Sequence, residues 1–397
     1  MSADASATPV TPALERIRAD VQSMHAYAVQ DAAGMVKLDA MENPHTLSAE
    51  LQAALGARLG ALAINRYPGA RIDDLKRALA AHVDLPEGHA LVLGNGSDEI
   101  ISLLAMACDV PAADTPDGLP PAILAPLPGF VMYAISAQLQ GLRFVGVPLS
   151  ADFQLDADAM CAAIATHRPA ITYLAYPNNP TANLWDSGAM ARVIAAAGAV
   201  GGLVVVDEAY QPFASRSWQD AIRHDPAGHA HVLLMRTLSK FGLAGVRIGY
   251  LMGPAALVAQ IDKVRPPYNI SVLNAECALF ALEHAAVFEA QAADIRAQRT
   301  RLAEAVAALP GVQVWPSDAN MLLVRLPGGE AGAQGAFDAL RRSGILVKNV
   351  SRMHALLAGC LRLTVGTADE NTRMLAALQQ ALAPSPLQPL PTDAPTR

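Results

Sequence analysis

Between residues 90 and 255 the chain repeats one pattern: a short, almost wholly apolar run, then a longer stretch whose apolar residues recur at helical spacing. The runs are ALVLG (90–94), PAILAP (121–126), RFVGVPL (143–149), AITYLAYP (170–177), GLVVVDEAY (202–210), HVLLMRTLS (231–239) and RIGYLMG (247–253). Helical patterns fill 97–107, 156–166 and 187–197. Strands this continuously apolar are buried on both faces, so these seven runs predict a mainly parallel sheet wrapped by helices. In open sheets of this kind the ligand sits beyond the carboxyl ends of the strands. Many polar residues of interest fall there: residues 94–98, Asn178 and Asn179, Asp207, Tyr210 and residues 237–240, with Phe130 beside them.

After a long, charged helical stretch over about 281–309 the pattern changes. VQVWPSDANMLLVRL (312–326), ILVKNV (345–350) and CLRLTVG (360–366) read as strands, with helices over 335–343 and 371–383. This is the signature of a smaller α+β domain. A chain of 397 residues suits one large and one small domain. The expected division is an N-terminal arm that also joins the small domain (1–47), a large domain (48–280), a small domain (281–383) and a tail (384–397). The arm has too little core of its own, so it is expected to pack on the small domain or reach a partner subunit. The tail is proline-rich, lacks core formers and is expected to be disordered.

Hydrophobic residues make up 52 % of the chain and charged residues 16 %, the balance of a well-buried globular protein. The net charge is -7 with no basic run, which argues against nucleic acid or an anionic membrane as partner. Cys108, Cys161, Cys277 and Cys360 lie far apart, with no CxxC and no His/Cys cluster. They read as reduced thiols of a cytoplasmic protein, without a metal site or a disulfide framework. Residues 1–20 contain no apolar core of a signal peptide, and the apolar stretch 193–206 is broken by three glycines.

Four motifs stand at strand ends. GNGSDEII (94–101) is strand, glycine loop, then amphipathic helix; it suits either a phosphate on free helix N–H groups or a helix start capped by Ser97 or Asp98. YPNNPTANLW (176–185) carries two amides in a turn that proline makes rigid, and alone it reads as that turn. In VVVDEAY (204–210), Asp207 ends an apolar strand, where a carboxylate is costly without a cationic partner; a helix cap is the plainer alternative. TLSKFGLAGVRIGY (237–250) sets Lys240 on an apolar strand-to-loop transition, with Arg247 seven residues on.

Each is weak alone, but together they match the needs of pyridoxal phosphate. That cofactor takes a lysine on its aldehyde, an acid on its pyridine nitrogen, donors on its phenolic oxygen, a phosphate cup and a flat side chain against its ring. Asp207 supplies the acid and Lys240 the amine, which can also serve as general base once displaced. Burial among cationic neighbours would favour the neutral, nucleophilic lysine.

In these motifs the chain resembles the fold-type I aminotransferases, and among them those acting on histidinol phosphate. The resemblance runs over most of the chain: VKLDAMENPH (36–45), INRYPGA (64–70), GNGSDE (94–99), PNNPTA (177–182), VVVDEAY, TLSKFGLAGVRIGY, GILVKNVS (344–351) and CLRLTVGT (360–367). It implies a Schiff base on Lys240 and a phosphate end lined by Gly96, Ser97, Asp98, Thr237, Ser239 and Arg247. Asn179 and Tyr210 would donate to the phenolic oxygen, Asp207 would pair with the ring nitrogen and Phe130 would stack on the ring. Tyr67 would reach the cofactor phosphate of the neighbouring subunit, which implies a homodimer. Arg362, helped by Lys348, would bind substrate anions, with Asn320 and Tyr27 also facing the substrate.

The implied reaction exchanges histidinol phosphate and 2-oxoglutarate for imidazole-acetol phosphate and glutamate, a step of histidine biosynthesis. A broad-specificity amino-acid transaminase and a phospho-amino-acid decarboxylase share most of these residues, and a binding module without activity is a third alternative. Several positions depart from the family. Met41 stands where asparagine is common and carries no polar role, and Ala182 replaces glycine, so its turn must avoid positive φ. Phe130 replaces a frequent tyrosine, and Lys348 a frequent arginine, giving a point charge in place of a fork. The loop from Lys240 to Arg247 is one residue shorter than in many relatives, which makes the reach of Arg247 the detail to check.

Overall fold

The computed structural model describes residues 14–24, 30–110 and 119–383. Two units are separated by their contacts, Met1–Ala33 and Gly34–Arg397. In the first, a 3-10 turn Leu14–Arg16 precedes a short helix Ala19–Gln22. Tyr27 and the tail 384–397 lie outside the described residues.

Among its described residues the second unit contains thirteen strands: β1 (Val36–Lys37), β2 (His89–Gly94), β3 (Ala122–Leu127), β4 (Arg143–Pro148), β5 (Ile171–Ala175), β6 (Leu203–Asp207), β7 (Val232–Thr237), β8 (Gly249–Pro254), β9 (Gln313–Val314), β10 (Met321–Arg325), β11 (Ile345–Leu346), β12 (Lys348–Asn349) and β13 (Cys360–Thr364). Seven of them form one sheet in the order β2-β8-β7-β6-β5-β3-β4. β7, β6, β5, β3 and β4 pair in parallel; β8 runs antiparallel to both its neighbours, β2 and β7. The seven apolar runs are these seven strands.

Alternate side chains of the sheet feed two cores. Leu124, Leu174, Val204, Val206, Val232 and Leu234 pack with Leu75, Leu79, Ile164 and Val193 on one face. Ile123, Tyr173, Val205, Leu233 and Met235 pack with Ile100, Leu104 and Ile261 on the other. Full burial of each such aliphatic side chain is worth roughly 1.5–3 kcal/mol, which is why a strand covered on both faces tolerates almost no polar residue before its end.

A second sheet, β12-β13-β10-β9, is antiparallel, and β1 pairs in parallel with β11. The expected helix over 281–309 is two helices, Val272–Glu283 and Ala285–Ala307, meeting at His284 with φ -110. Helices Ala49–Gly60 and Arg71–His82 pack beside Val272–Glu283; Arg58 and Arg71 both ion-pair with the buried Glu276. The last helix begins at Ala368, earlier than expected, because Thr367 and Glu370 form a reciprocal capping box. Among the described residues no helix is long and apolar enough to cross a membrane.

Candidate functional site

β2, β3, β5, β6 and β7 end on one edge of the large sheet, and β8 begins there. Strand order turns back at β3, which sits between β4 and β5, so the switch point of this sheet lies between β3 and β5. Asn178 spans it, donating from Nδ2 to the Pro128 carbonyl at 3.0 Å and to Thr181 Oγ1 at 2.8 Å.

At the β2 end, Gly96 adopts φ 78 and opens the helix Ser97–Ala107 without any side-chain cap. Capping by Ser97 or Asp98, the plainer alternative, is therefore not what folds, and the first-turn N–H groups are left for another acceptor. Arg247 lies directly over this helix start. A Cβ on Gly96 would collide with its guanidinium, and one on Gly249 would stand 2.6 Å from the Ser97 nitrogen. Glycine is required at Gly249 by the close approach of backbone and at Gly96 by its positive φ. Arg247 contacts Ser239 Oγ at 3.4 Å and Asp98 Oδ2 at 3.5 Å, while Thr237 Oγ1 donates to Ser239 Oγ at 2.9 Å. The short loop reaches this far by coiling tightly: a π turn at Ser239–Leu243, a 3-10 turn at Ala244–Val246, then Arg247 itself at φ 55.

Asp207 closes β6 and is buried. Its Oδ2 accepts the Tyr133 hydroxyl at 2.7 Å and its Oδ1 the Ala209 N–H at 3.0 Å. Among the described residues no cation pairs with it, and burial pushes its carboxyl up to about 6 despite these two donors. Lys240, just past the end of β7, donates from Nζ to the Ala40 carbonyl at 2.9 Å and lies 5.9 Å from the Tyr210 ring centroid. Burial, and after it the Arg362 charge, draws its ammonium down to about 8. Tyr210 is itself buried, and its hydroxyl is pushed up first by that burial.

Arg362 on β13 donates to Asn179 Oδ1 at 2.7 Å and to the Asp39 carbonyl at 2.7 Å. A guanidinium has only donors, so it fixes the Asn179 oxygen and leaves the amide NH2 as the donating side. Lys348 stands opposite Arg362 in the β12–β13 register, placing two cations side by side. Asn320 is fully buried; its Nδ2 donates to the Met41 carbonyl at 3.0 Å, and its Oδ1 lacks a partner among the described residues. Phe130 meets Tyr133 edge-on, with centroids 5.6 Å apart. Tyr67 is 75 % exposed and stacks on Tyr268 at 4.1 Å, away from the contacts that join the others.

Two expectations are corrected. Ala182 does adopt positive φ, 65. Its turn is held by the bonds Ala182 N–H to Asn178 O (2.8 Å), Asn178 N–H to Asn183 O (3.0 Å) and Asp318 N–H to Ala182 O (2.7 Å), which together outweigh the roughly 1–2 kcal/mol of a left-handed alanine. Met41 carries no polar side chain, yet its backbone is part of the site. The carbonyls of Asp39, Ala40 and Met41 accept, in turn, from Arg362, Lys240 and Asn320. Met41 takes φ 51 in doing so. This strap escaped motif reading because carbonyls carry no residue-type signal. Tyr133 escaped because it is 74 positions from Asp207; its one trace is its place three residues after Phe130.

The electrostatics carry a pH signature in the cofactor-free protein. Asp207 is raised from 3.8 to about 6 on folding, so its contribution to stability is full below about pH 4 and is lost as the pH rises to 6. Asp207→Asn is expected to gain on the parent across that window by on the order of 3 kcal/mol, read by urea unfolding. A pH-independent difference would show that Asp207 is not held against its burial.

A family model for "Aminotransferase class I and II" matches residues 33–378. The histidinol-phosphate aminotransferase of Paracidovorax citrulli is 68 % identical over 371 residues, 93 % of this chain and 98 % of that protein. That of Polaromonas naphthalenivorans is 66 % identical over 366 residues, 92 % and 96 % of the two chains. Among solved structures, histidinol-phosphate aminotransferase from Sinorhizobium meliloti in complex with pyridoxal-5'-phosphate superposes with a TM-score of 0.78 at 25 % identity, covering 93 % of this chain and 98 % of that one. The fold is that of a class I and II aminotransferase. The chain belongs to that family, in the branch formed by the histidinol-phosphate aminotransferases.

Proposed function

We propose that the protein is a pyridoxal-phosphate-dependent aminotransferase that exchanges the amino group of histidinol phosphate with 2-oxoglutarate. The observation that carries this is the pairing of a buried acid that meets no cation among the described residues, Asp207, with an enclosed lysine, Lys240, at the ends of adjacent parallel strands. The donor set suits the cofactor: a carboxylate for the pyridine nitrogen, an uncapped helix start under Arg247 for the phosphate, and the Asn179 amide and Tyr210 hydroxyl for the phenolic oxygen. Gly96, Ser97, Asp98, Thr237 and Ser239 complete the phosphate end, and Phe130 covers the ring. When bound, pyridoxal phosphate supplies an aldehyde for amines and an electron sink for the carbanion left when the substrate Cα loses its proton.

Lys240, drawn toward neutrality, is the base whose Nζ accepts that proton and holds it for return. Asp207, once paired with the ring nitrogen, holds the proton there. Arg362 and Lys348, adjacent across β12–β13, form one cationic clamp for a phosphate monoester on one substrate and a carboxylate on the other. Asn320, with its free Oδ1, faces the same substrate. Tyr67 serves the neighbouring subunit: stacked on Tyr268, which is 57 % exposed, it presents an exposed aromatic pair suited to a second copy. A cytoplasmic homodimer with a large domain over 48–280 and a small one over 281–383 completes the reading.

Purified holoenzyme mixed with L-glutamate is expected to lose the visible band of lysine-bound cofactor and gain that of pyridoxamine phosphate; histidinol phosphate is expected to do this faster. Fast reaction of phenylalanine or tyrosine with none of histidinol phosphate would overturn the substrate and keep the transaminase. Carbon dioxide released from an O-phospho amino acid would overturn both.

A further inference from the structure

Tyr133 belongs to none of the family motifs, yet it is the one side chain hydrogen-bonded to Asp207 among the described residues. Its phenol is buried on the helix Met132–Leu139, its ring lies flat on Tyr173 (4.2 Å, 7°) and Phe130 closes its edge. The ring therefore has no room to turn, and its hydroxyl is fixed on Asp207 Oδ2 at 2.7 Å while the Ala209 N–H holds Oδ1. Facing a carboxylate, a tyrosine hydroxyl donates.

We propose that Tyr133 is a positioning residue for the amino-transfer reaction: its hydroxyl holds the Asp207 carboxylate ionised and in the single orientation that meets the cofactor's ring nitrogen. This rests on the reading of Asp207 as the acid of the cofactor site. The surroundings make the bond necessary. Burial acts first against ionisation of Asp207, and the neighbouring carboxylates Asp98 and Glu208 act in the same direction. The other titratable groups around it, Tyr173 and Tyr210, are neutral phenols at physiological pH. Glu208 is tied to Arg236 and turned to other donors. Before any cofactor enters, Tyr133 and the Ala209 N–H are what oppose this burial and repulsion.

A neighbouring residue supplies the control. The Tyr173 hydroxyl is buried in the same stack with no partner among the described residues. Tyr133→Phe and Tyr173→Phe each delete one hydroxyl from one aromatic pair, and only the first touches Asp207. Pyridoxal phosphate affinity, read by quenching of tryptophan fluorescence from pH 5 to 8, separates donor from filler. Tyr133→Phe is expected to weaken binding at pH 7 roughly tenfold or more and to move the pH midpoint of binding up by about one unit. Tyr173→Phe is expected to change neither. With 3-fluorotyrosine at position 133, a stronger donor of nearly the same shape, the midpoint is expected to fall, and this arm stands even where Tyr133→Phe folds poorly. Equal midpoints for the two phenylalanine variants, or an unmoved midpoint with the fluorinated residue, overturn the proposal. If Asp207→Asn also leaves affinity unchanged, the reading of Asp207 fails as well; if Asp207→Asn weakens binding while Tyr133→Phe does not, Tyr133 alone is refuted.

Discussion

Lys240→Ala is expected to abolish covalent attachment of pyridoxal phosphate and to lower amino transfer by about 10⁴-fold or more, because one side chain is lost from two tasks, capture of the aldehyde and transfer of the Cα proton. The structure shows why no neighbour can take over. A guanidinium is no nucleophile, the Lys37 amine is ion-paired with Asp39 and Glu42, and Lys348 belongs to the small sheet opposite Arg362. Lys240→Arg separates the two tasks from simple charge: it keeps a cation near the Ala40 carbonyl yet has no nucleophilic nitrogen, and it is expected to be as inactive as Lys240→Ala. The loss is not a folding defect. Lys240 is drawn from 10.5 to about 8, so its contribution to stability is present above pH 10.5 and lost as the pH falls to 8. The cofactor-free Lys240→Ala protein is thus expected to unfold at no lower temperature than the parent at pH 7. Survival of the visible lysine-bound band in either variant would place the attachment elsewhere.

The legible parts of this molecule are those where residue type and position coincide. The large sheet could be read because runs such as VVVD and VLLMRT must be covered on both faces, and Asp207 and Lys240 because each breaks such a run at its end. The start of the helix at Ser97 was readable from its glycine loop. The start of the helix at Ala368 is written in the sequence by Thr367 and Glu370 at capping-box spacing. The break at His284 was not readable, since an alanine-rich helical pattern continues on both sides of it. What stayed hidden depends on chain-distant contacts. The carbonyls of residues 39–41 meet Lys240, Asn320 and Arg362 across about half the chain or more, and the positive φ of Ala182 is held partly by Asp318. Local propensity correctly disfavours that alanine conformation; tertiary hydrogen bonds override it.

The largest stability effect is expected from Arg236→Met, at about 3–5 kcal/mol in urea unfolding. Arg236 on β7 and Glu208 just after β6 are both buried, and the guanidinium gives Glu208 Oε2 bonds of 2.9 and 2.7 Å. It also donates to Ser217 Oγ at 3.0 Å and Gln219 Oε1 at 2.9 Å, while Trp218 N–H and Ser217 Oγ bond to the same carboxylate. The Glu208 carboxylate is held by Arg236, Ser217 and Trp218 together, so removing the cation strands a desolvated carboxylate rather than merely deleting contacts. That predicts a specific asymmetry. Adding Glu208→Met to Arg236→Met is expected to recover most of the loss, because a buried ion pair is weak in net terms and ruinous only when halved. A double variant as unstable as the single one would mean that the knot's hydrogen bonds to Ser217, Trp218 and Gln219, and not the unpaired charge, set the stability. The consequence for the site follows from one peptide bond: Glu208 is the residue after Asp207, and pinning it to β7 keeps the Asp207 carboxylate from swinging with the loop. Arg236→Met is accordingly expected to weaken pyridoxal phosphate binding below its denaturation midpoint, and the double variant to restore stability more fully than affinity.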